Sequence, residues 1–369
     1  MDEQAYIRIA EAIDRGPQRA PKVDGQFSKT FLAYLKLIYT PEEAAIIQYL
    51  NMPAKYNFKS AGQVADESGL DIDTVKEVLD SAARRNAIFR MGDQYSLLDI
   101  PGILNYHHFS PEIGPEDVTA ARLYQDFFIK EGYYKLYEGS EKGTPIVRTI
   151  PVSRAIAKEE KVLTNEEAHQ MITNQQTNDF ALVPCPCRTR TEKMGIRECR
   201  DRFPIASCIF IGAGAKLFTK LGLGKMVTRE QALSYFDEMQ DLGLVGNTDN
   251  YLNPNQSVIC LCCECCCSQV RGRTRWDNPD SILPSNFVSQ ADENCILCET
   301  CLDRCFFGAL SVDEDAGRVV CDPEKCIGCG ICTITCPTEA LKLHRYERTR
   351  PFDSRKELWT TITVENREA

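Results

Sequence analysis

The C-terminal third of the chain contains one cysteine pattern twice, as 295-CILCETCLDRCFFGAL-310 and 326-CIGCGICTITCPTEAL-341. Both copies have the spacing C-x2-C-x2-C-x3-C, and the second copy begins 31 residues after the first, so that Cys295 corresponds to Cys326. Three thiols at steps of three on a tight loop can converge on three corners of one site. The fourth ligand must come from elsewhere, and taking it from the other copy would link the two halves. The repeat therefore predicts two related sites in one small domain.

The doubled pattern resembles the two-cluster ferredoxins of bacteria, in which the fourth cysteine of each run binds the other [4Fe–4S] cluster. The resemblance covers residues 286–346 and implies a (βαβ)2 ferredoxin domain with two [4Fe–4S] clusters. It assigns Cys295, Cys298, Cys301 and Cys336 to one cluster, and Cys326, Cys329, Cys332 and Cys305 to the other. Zinc is the alternative, because paired C-x2-C knuckles also bind it, but zinc takes its four ligands from two knuckles.

The two copies differ where the chain would approach the clusters. The first copy has Leu297 and Glu299 where the second has Gly328 and Gly330. Because glycine lets backbone N–H groups come close to cluster sulfurs, we expect the two sites to differ in hydrogen bonding and in local charge. Four isoleucines are expected to shield the clusters from water: Ile296, Ile327, Ile331 and Ile334. Cys321 lies between the copies, fits neither, and is expected to be a small buried residue.

A second concentration of thiols lies upstream, where 259-ICLCCECCCSQ-269 follows 184-PCPCRTRTEKMGIRECRDRFPIASC-208. The candidate metal ligands in these segments are Cys185, Cys187, Cys199, Cys208, Cys260, Cys262, Cys263, Cys265, Cys266 and Cys267. Successive residues of an extended strand face opposite ways, so the run 260–267 either bends round one site or serves two. One [4Fe–4S] cluster takes four thiolates, and we predict one or two further iron–sulfur clusters here. Adventitious metal binding or a reserve of reactive thiols is the alternative.

Five arginines lie among the first four of these cysteines: Arg188, Arg190, Arg197, Arg200 and Arg202. We expect them to offset the negative charge of a thiolate-bound cluster. The combination of C-P-C-R, two later cysteines, an amphipathic helix and a CC-x-CCC run resembles a type of iron–sulfur protein from anaerobic bacteria and archaea. The resemblance covers roughly residues 150–345 and implies a redox function, but it does not indicate a substrate.

The region 41–98 carries the signals of three helices followed by a hairpin. Pro41 starts the first helix, Ser60 caps the second, and Gly69 ends it. The third helix covers 72–86, and two strands about a Gly-Asp turn follow. This order resembles a winged helix-turn-helix. The third helix and its preceding loop carry four acids against three bases, so we expect docking or dimerisation there rather than nucleic-acid binding.

These patterns together predict an α+β multidomain protein. We expect a winged-helix-like domain over 1–100, a mainly helical Cys-rich domain over 101–285, the ferredoxin domain over 286–346 and a tail over 347–369. The 369 residues include 19 cysteines, an odd and clustered number that argues against a disulfide scaffold. The first residues form no apolar signal core and no apolar run could span a bilayer, so we expect a cytoplasmic location.

The expected function is single-electron transfer, in a chain that is an electron-transfer component of an oxidoreductase system rather than a defined enzyme. Residues 292–344 contain ten acids and four bases, a balance of −6, which suits brief docking to a basic redox partner such as an oxidoreductase or a flavoprotein. Two alternatives remain. One is a redox-sensing winged-helix regulator, and the other is an enzyme whose middle-region cluster acts on its own substrate.

Overall fold

The computed structural model describes residues 3–53, 57–110 and 112–368, and its chain divides into two compact units. The first unit contains the described residues up to 137, together with 189–196 and those from 362 onward. The second contains 138–188 and 197–361, so the middle region and the C-terminal repeat belong to the same unit. The four domain boundaries expected from the sequence stay a prediction.

The first unit consists mainly of short helices. Its elements are α1 (Glu3–Asp14), β1 (Lys22–Val23), β2 (Gln26–Phe27), α2 (Lys29–Ile38), α3 (Pro41–Ile47), β3 (Lys59–Ser60), α4 (Ala61–Ser68), α5 (Ile72–Arg84), β4 (Phe89–Met91), β5 (Gln94–Ser96), α6 (Ile100–Asn105), α7 (Pro115–Gln125) and α8 (Tyr134–Glu138), with a π-helical turn at Asp126–Lys130. The three predicted helices and the hairpin are confirmed. Ser60 caps α4 in a capping box with Gln63, and Gly69 ends that helix with a left-handed backbone.

The three-stranded sheet of the first unit has the order β3-β5-β4, and its strand β3 was not predicted. Two residues pair there, which is too short a segment to show an alternating pattern in the sequence. The winged-helix resemblance of this region stays a prediction.

The second unit is built on a six-stranded antiparallel sheet of order β6-β10-β11-β8-β7-β9. The strands are β6 (Val147–Ile150), β7 (Phe180–Pro184), β8 (Ser207–Ile211), β9 (Lys225–Val227), β10 (Val245–Asp249) and β11 (Val258–Cys262). The helices of this stretch are α9 (Ala168–Thr173), α10 (Pro186–Lys193), α11 (Ala213–Lys220), α12 (Arg229–Leu242) and α13 (Ser268–Arg275), with single 3₁₀ turns at Ser153–Ala155 and Pro279–Ser281. Phe236 and Met239 of α12 share a buried core with Ile259 and Leu261 of β11.

The expectation of a mainly helical middle region missed this sheet, and the physical reason is burial on both faces. The sequences of β8 and β11, SCIFI and VICLC, place cysteine or apolar side chains on each side, so the strands lack the apolar–polar alternation that marks a half-exposed strand. The helical expectation holds for α12, which begins with the capping box of Thr228 and Gln231.

The C-terminal repeat forms β12 (Phe287–Ala291), α14 (Thr300–Arg304), β13 (Leu310–Asp313), β14 (Arg318–Cys321) and β15 (Leu341–Arg345), with a 3₁₀ turn at Thr333–Thr335. Strand β12 pairs with β15, and β13 pairs with β14, both antiparallel. Each copy therefore has a strand, a short helical turn and a strand in sequence, as the (βαβ)2 expectation requires. Helix α15 (Arg355–Glu368) follows. Within the described ranges, no helix has both the length and the apolar character needed to cross a bilayer.

Candidate metal centres

Strand β11 distributes the central run of cysteines between the two faces of the sheet. Cys262 belongs to one buried cluster, against which Cys260 packs, while Leu261 and Cys263 belong to another. After the strand the chain turns back, and the N–H of Cys267 donates to the carbonyl of Cys263 at 3.3 Å. The run therefore bends, and its thiols also divide between two groups, whereas the sequence had offered these as alternatives.

On one face, four thiols form a compact buried group that we call the tetrathiol site: Cys199, Cys263, Cys265 and Cys266. Their sulfur atoms all lie within 4.8 Å of one another. The sulfur of Cys199 is 3.9 Å from that of Cys263 and 3.8 Å from that of Cys266. Cys265 is 3.8 Å from Cys263 and 3.4 Å from Cys266. No other group of three or more potential ligands is this close in the part of the chain that the structure describes.

On the other face, the remaining six middle-region thiols form a closed ring, the six-thiol ring. Following the ring, its members are Cys185, Cys187, Cys267, Cys262, Cys260 and Cys208, and each forms hydrogen bonds with the thiols before and after it. The sulfurs of Cys262 and Cys267 are 3.2 Å apart. Hydrogen bonds from Cys260 and Cys267 lower the pKa of Cys262 to about 6, and the nearby side chain of Asn247 acts in the same direction.

Asn247 is a residue of the ring site that the sequence analysis missed. It lies on β10 directly opposite Cys260 and is 1% exposed. Neither atom of its side-chain amide has a hydrogen-bond partner among the described residues, although the amide is close enough to Cys262 to lower the pKa of that thiol. Buried amides almost always find a partner, so this one is suited to a ligand held in the ring. No local sequence signal marks it, because its role follows from strand pairing.

Arg188 lies between the two groups of thiols and is 1% exposed. Its Nη1 donates to the carbonyl of Leu261 at 2.9 Å and lies 3.7 Å from the sulfur of Cys263. Burial opposes the charge, yet the nearby thiols of Cys185, Cys263 and Cys208 raise the pKa of Arg188 well above its usual value. Of the other expected arginines, Arg202 pairs with Glu264 at 3.4 Å, and Arg190 lies over the ring of Tyr124 in the first unit.

The structure brings together the first ferredoxin set, and its site is open to solvent. Cys295, Cys298, Cys301 and Cys336 line one pocket. Burial and the neighbouring thiols Cys298, Cys336 and Cys295 raise the pKa of Cys301 to about 11. Cys298 is exposed. Ile296 is 62% exposed, so the expectation that it shields this site is wrong, because its loop points the side chain to solvent.

The second ferredoxin set is more deeply placed. Burial and the thiols of Cys329, Cys305 and Cys326 raise the pKa of Cys332 well above its usual value, which puts the four in one neighbourhood. The N–H of Gly328 donates to the sulfur of Cys326 at 3.4 Å, as the glycine pattern predicted. Ile327 and Ile331 are each 1% exposed and Ile334 is partly buried, so these three can exclude water.

Cys321 is half-buried rather than fully buried, and it lies beside a ferredoxin thiol. Its hydrogen bond to Cys326 lowers the pKa of Cys326 to about 6. The sequence had placed it in neither set, and its position on β14 next to Cys326 follows only from the fold.

Residues 294–340 match the family of 4Fe-4S dicluster domains. This region is a 4Fe-4S dicluster ferredoxin domain. Two sets of four converging thiolates fit the two [4Fe–4S] clusters that such a domain binds. No solved structure matches the chain.

Several known proteins resemble part of this chain. The archaeal-type glutamate synthase (NADPH) of Thermotoga maritima is 41% identical over 64 residues, which are 17% of this chain and 13% of that protein. The polyferredoxin-like subunit of the aliphatic sulfonate oxidoreductase of Pyrococcus furiosus is 33% identical over 90 residues, 23% of this chain and 52% of that subunit. Pyruvate synthase subunit PorD of Methanocaldococcus jannaschii is 39% identical over 57 residues, 15% and 65% of the two chains. The chain thus covers less than two thirds of the length of each relative.

The dicluster domain packs against the middle sheet within the second unit. The N–H of Val152 donates to the carbonyl of Cys329 at 3.0 Å, and the N–H of Ala157 donates to that of Leu343 at 3.0 Å. The side chain of Phe307 packs against two buried clusters, one containing Cys262 and the other containing Ile327. It therefore joins a cluster that contains two thiols of the six-thiol ring, Cys262 and Cys267, to a cluster against which Cys329 of the second ferredoxin set packs.

Proposed function

We propose that this chain carries single electrons between a donor and a partner oxidoreductase or flavoprotein, through the dicluster domain and a further iron–sulfur site in the six-thiol ring. Bound iron–sulfur clusters supply the one-electron chemistry, and the protein tunes and positions them. For each electron taken from the donor one is passed to the acceptor, so the chain is unchanged overall.

The observation that carries the proposal is the position of Phe307. Its ring contacts the buried cluster of Cys262 and Cys267 and also the one that contains Ile327 and Ile331. One side chain thus packs against both buried clusters, one of which contains ring thiols and the other of which contacts Cys329 of the second ferredoxin set. We expect electrons to pass between the two sites across this contact.

The two ends of such a path differ in access to solvent. At the first ferredoxin set, Ile296, Cys298 and Glu299 are exposed, which allows an outside protein to approach. The acidic balance of residues 292–344 favours a basic partner, for which electrostatic steering raises the rate of encounter. Four members of the six-thiol ring, by contrast, are buried, and the other two, Cys187 and Cys260, are partly buried.

The proposal is tested on full-length protein purified without oxygen. We expect iron and sulfide above the content of two [4Fe–4S] clusters, and more than two centres in an EPR-monitored dithionite titration. In the variant Cys262→Ser the excess sulfide and the iron bound to it should be lost while the dicluster signals remain. Reduced protein should reduce cytochrome c, a basic one-electron acceptor, at a rate that falls with added salt.

Two results would contradict the relay. Iron that equals the dicluster content in both wild type and Cys262→Ser would remove the ring as a redox site. Colourless protein that stays EPR-silent after dithionite would remove electron transfer altogether.

A redox-sensing regulator is the second candidate. The element order α3-β3-α4-α5-β4-β5 and the sheet order β3-β5-β4 support it, since a winged helix has this arrangement. Against it, Asp71, Asp73, Glu77 and Asp80 surround the helix that would enter the groove. A gel-shift assay with genomic DNA fragments, with cluster-loaded and apo protein, separates the candidates. Sequence-selective binding that weakens with salt would favour the regulator over the relay.

A further inference from the structure

We propose that the tetrathiol site of Cys199, Cys263, Cys265 and Cys266 holds one tetrahedral metal ion, zinc or iron, bound by four thiolates. It would differ in kind from the [4Fe–4S] clusters of the dicluster domain. The inference goes beyond the electron relay, which does not depend on it.

The distances between the sulfur atoms carry the argument. Thiolates bound at about 2.3 Å to one tetrahedral ion lie about 3.8 Å from each other, because the edge of a tetrahedron is about 1.63 times its radius. The four measured separations are 3.9, 3.8, 3.8 and 3.4 Å. All the sulfurs fall within 4.8 Å of one another. The group thus has the dimensions of a single-ion site.

The ferredoxin thiols of the same chain provide an internal comparison. A [4Fe–4S] cluster places four iron atoms between its thiolates and so spreads them farther apart than a single ion does. Within the described ranges, no three of the eight ferredoxin thiols lie mutually within 4.8 Å. The sulfur atoms expected to bind [4Fe–4S] clusters are therefore more widely separated in this structure than those of the tetrathiol site.

The surroundings indicate a closed site without room for substrate or water. Cys263 and Cys266 are fully buried, and Cys199 and Cys265 are at most 5% exposed. Apolar side chains of the main core, including Phe203 and Leu261, belong to the same cluster. Structural zinc sites have four protein ligands and no open position, which is the arrangement here.

The local charges suit such an ion. Four thiolates and a divalent cation leave a net charge of −2, which needs compensation in a buried place. Arg188 supplies a buried guanidinium 3.7 Å from the sulfur of Cys263. Arg275 pairs with Glu198, the residue before Cys199, at 2.7 Å.

The ion would join two segments that are distant in sequence. The carbonyl of Cys199 accepts from the N–H groups of Arg202 and Phe203 at 3.1 and 2.8 Å, which fixes the loop before β8. The other three ligands come from the turn after β11. Metal binding would contribute folding free energy by tying this loop to this turn.

The experiment uses full-length protein purified anaerobically, with elemental analysis, X-ray absorption at the zinc and iron edges, and Mössbauer spectroscopy after ⁵⁷Fe growth. We expect one ion per chain that is not accounted for by sulfide-bound iron. Its absorption fine structure should contain four sulfur neighbours at about 2.3 Å and no neighbouring metal. A zinc signal identifies zinc, and a mononuclear high-spin signal identifies iron.

Variants locate the ion. Cys266→Ser should lose it, whereas Cys321→Ser, which changes a thiol in neither middle-region group, should keep it. Cys262→Ser should also keep it, even though that variant removes iron from the six-thiol ring. This last comparison separates failure of the relay from failure of the present inference.

Several outcomes overturn the inference. One is a metal neighbour at short range in a signal that Cys266→Ser removes, since that would indicate a cluster. Another is a disulfide among these four cysteines in anaerobically alkylated protein. A third is the lack of any extra ion in wild-type protein, a measurement that does not require the variant to fold.

Discussion

At the scale of single residues, the two ferredoxin loops have the same backbone conformation at two positions where their residue types differ. Leu297 and Glu299 have φ values of 53° and 59°, and the equivalent Gly328 and Gly330 have 67° and 80°. All four are left-handed, which costs a residue with a Cβ about 1–2 kcal/mol. The sequence predicts the glycine conformations, but nothing in it indicates that leucine and glutamate adopt the same one.

Packing explains why only the second loop requires glycine. A Cβ on Gly330 would lie 2.7 Å from the Cβ of Ala155 and 2.9 Å from Cδ1 of Leu343. A Cβ on Gly328 would overlap Ser285 and the carbonyl of Phe287. The first loop is exposed around Ile296 and Glu299, so side chains fit there.

We predict that Gly330→Ala destabilises the dicluster domain more than Gly317→Ala does. Both glycines have positive φ, but a Cβ on Gly317 meets nothing within 4 Å, so that variant carries only the backbone cost of about 1–2 kcal/mol. Thermal loss of cluster absorbance on anaerobic heating is the measurement. Equal midpoints for the two variants would show that the close approach to Ala155 and Leu343 has no energetic consequence.

At the scale of elements, helix α7 is tied into the first unit by a buried charge network. The carboxylate of Asp117 accepts from the N–H of Gly114 at 2.9 Å and from Lys193 at 2.9 Å, and lies 3.1 Å from Nδ1 of His107. The side chain of Lys193 is 1% exposed. Burial acts to raise the pKa of Asp117, but the Gly114 and Lys193 hydrogen bonds outweigh it and the pKa is lowered.

We predict that Asp117→Asn costs about 3–5 kcal/mol at neutral pH, because it leaves the ammonium of Lys193 buried without its counter-charge. A lowered folded pKa contributes stability that is present above the unfolded pKa, about 3.9, and is lost as pH falls through the folded value. Hydrogen exchange of α7 should therefore be faster in the variant at pH 7, with a difference that shrinks below about pH 4.

The matched control for this variant is Asp126→Asn. Asp126 pairs with Lys130 at 2.6 Å on the surface, where ion pairs contribute little. Its exchange profile should follow that of wild type. If Asp126→Asn accelerated the hydrogen exchange of α7 as much as Asp117→Asn does, the effect could not be assigned to the burial of Lys193.

Elements also differ in how far the sequence could predict them. Helices α3, α4 and α12 follow from their caps, because a cap is a local signal within four residues. Strands β8 and β11 could not be found in this way, since both faces are buried. The division of the ten middle-region thiols between two faces depends on these strands. The sequence therefore indicated that the thiols could form one group or two, but it could not show which.

At the scale of the whole molecule, the second unit contains both the exposed thiols of the dicluster domain and the buried thiols of the middle region. The doubled motif indicated two related sites, and its resemblance to two-cluster ferredoxins supplied the ligand sets, including the fourth ligand that crosses from the other copy. The contact of Phe307 with both the dicluster domain and the ring cluster is a tertiary feature, and no pattern in the run 305-CFFGAL-310 marks it.

We predict that Phe307→Leu slows electron transfer between the dicluster domain and the ring site without changing iron content. Phe306→Leu is the control, because Phe306 packs against the cluster that contains Ile327 but not against the one that contains Cys262. Freeze-quench EPR after mixing with dithionite follows each centre separately. Identical time courses in the two variants would mean that Phe307 does not lie on the path.

The alternating faces of β11 also limit how the chain can vary. A single residue inserted inside β11, between Ile259 and Cys260, would turn every later side chain of the strand to the opposite face, so that the thiols of one group would point toward the other. The tetrathiol site and the six-thiol ring therefore both depend on the same register of this strand. Only changes in length by pairs of residues would leave both intact, and the strand is expected to tolerate substitution more readily than insertion or deletion.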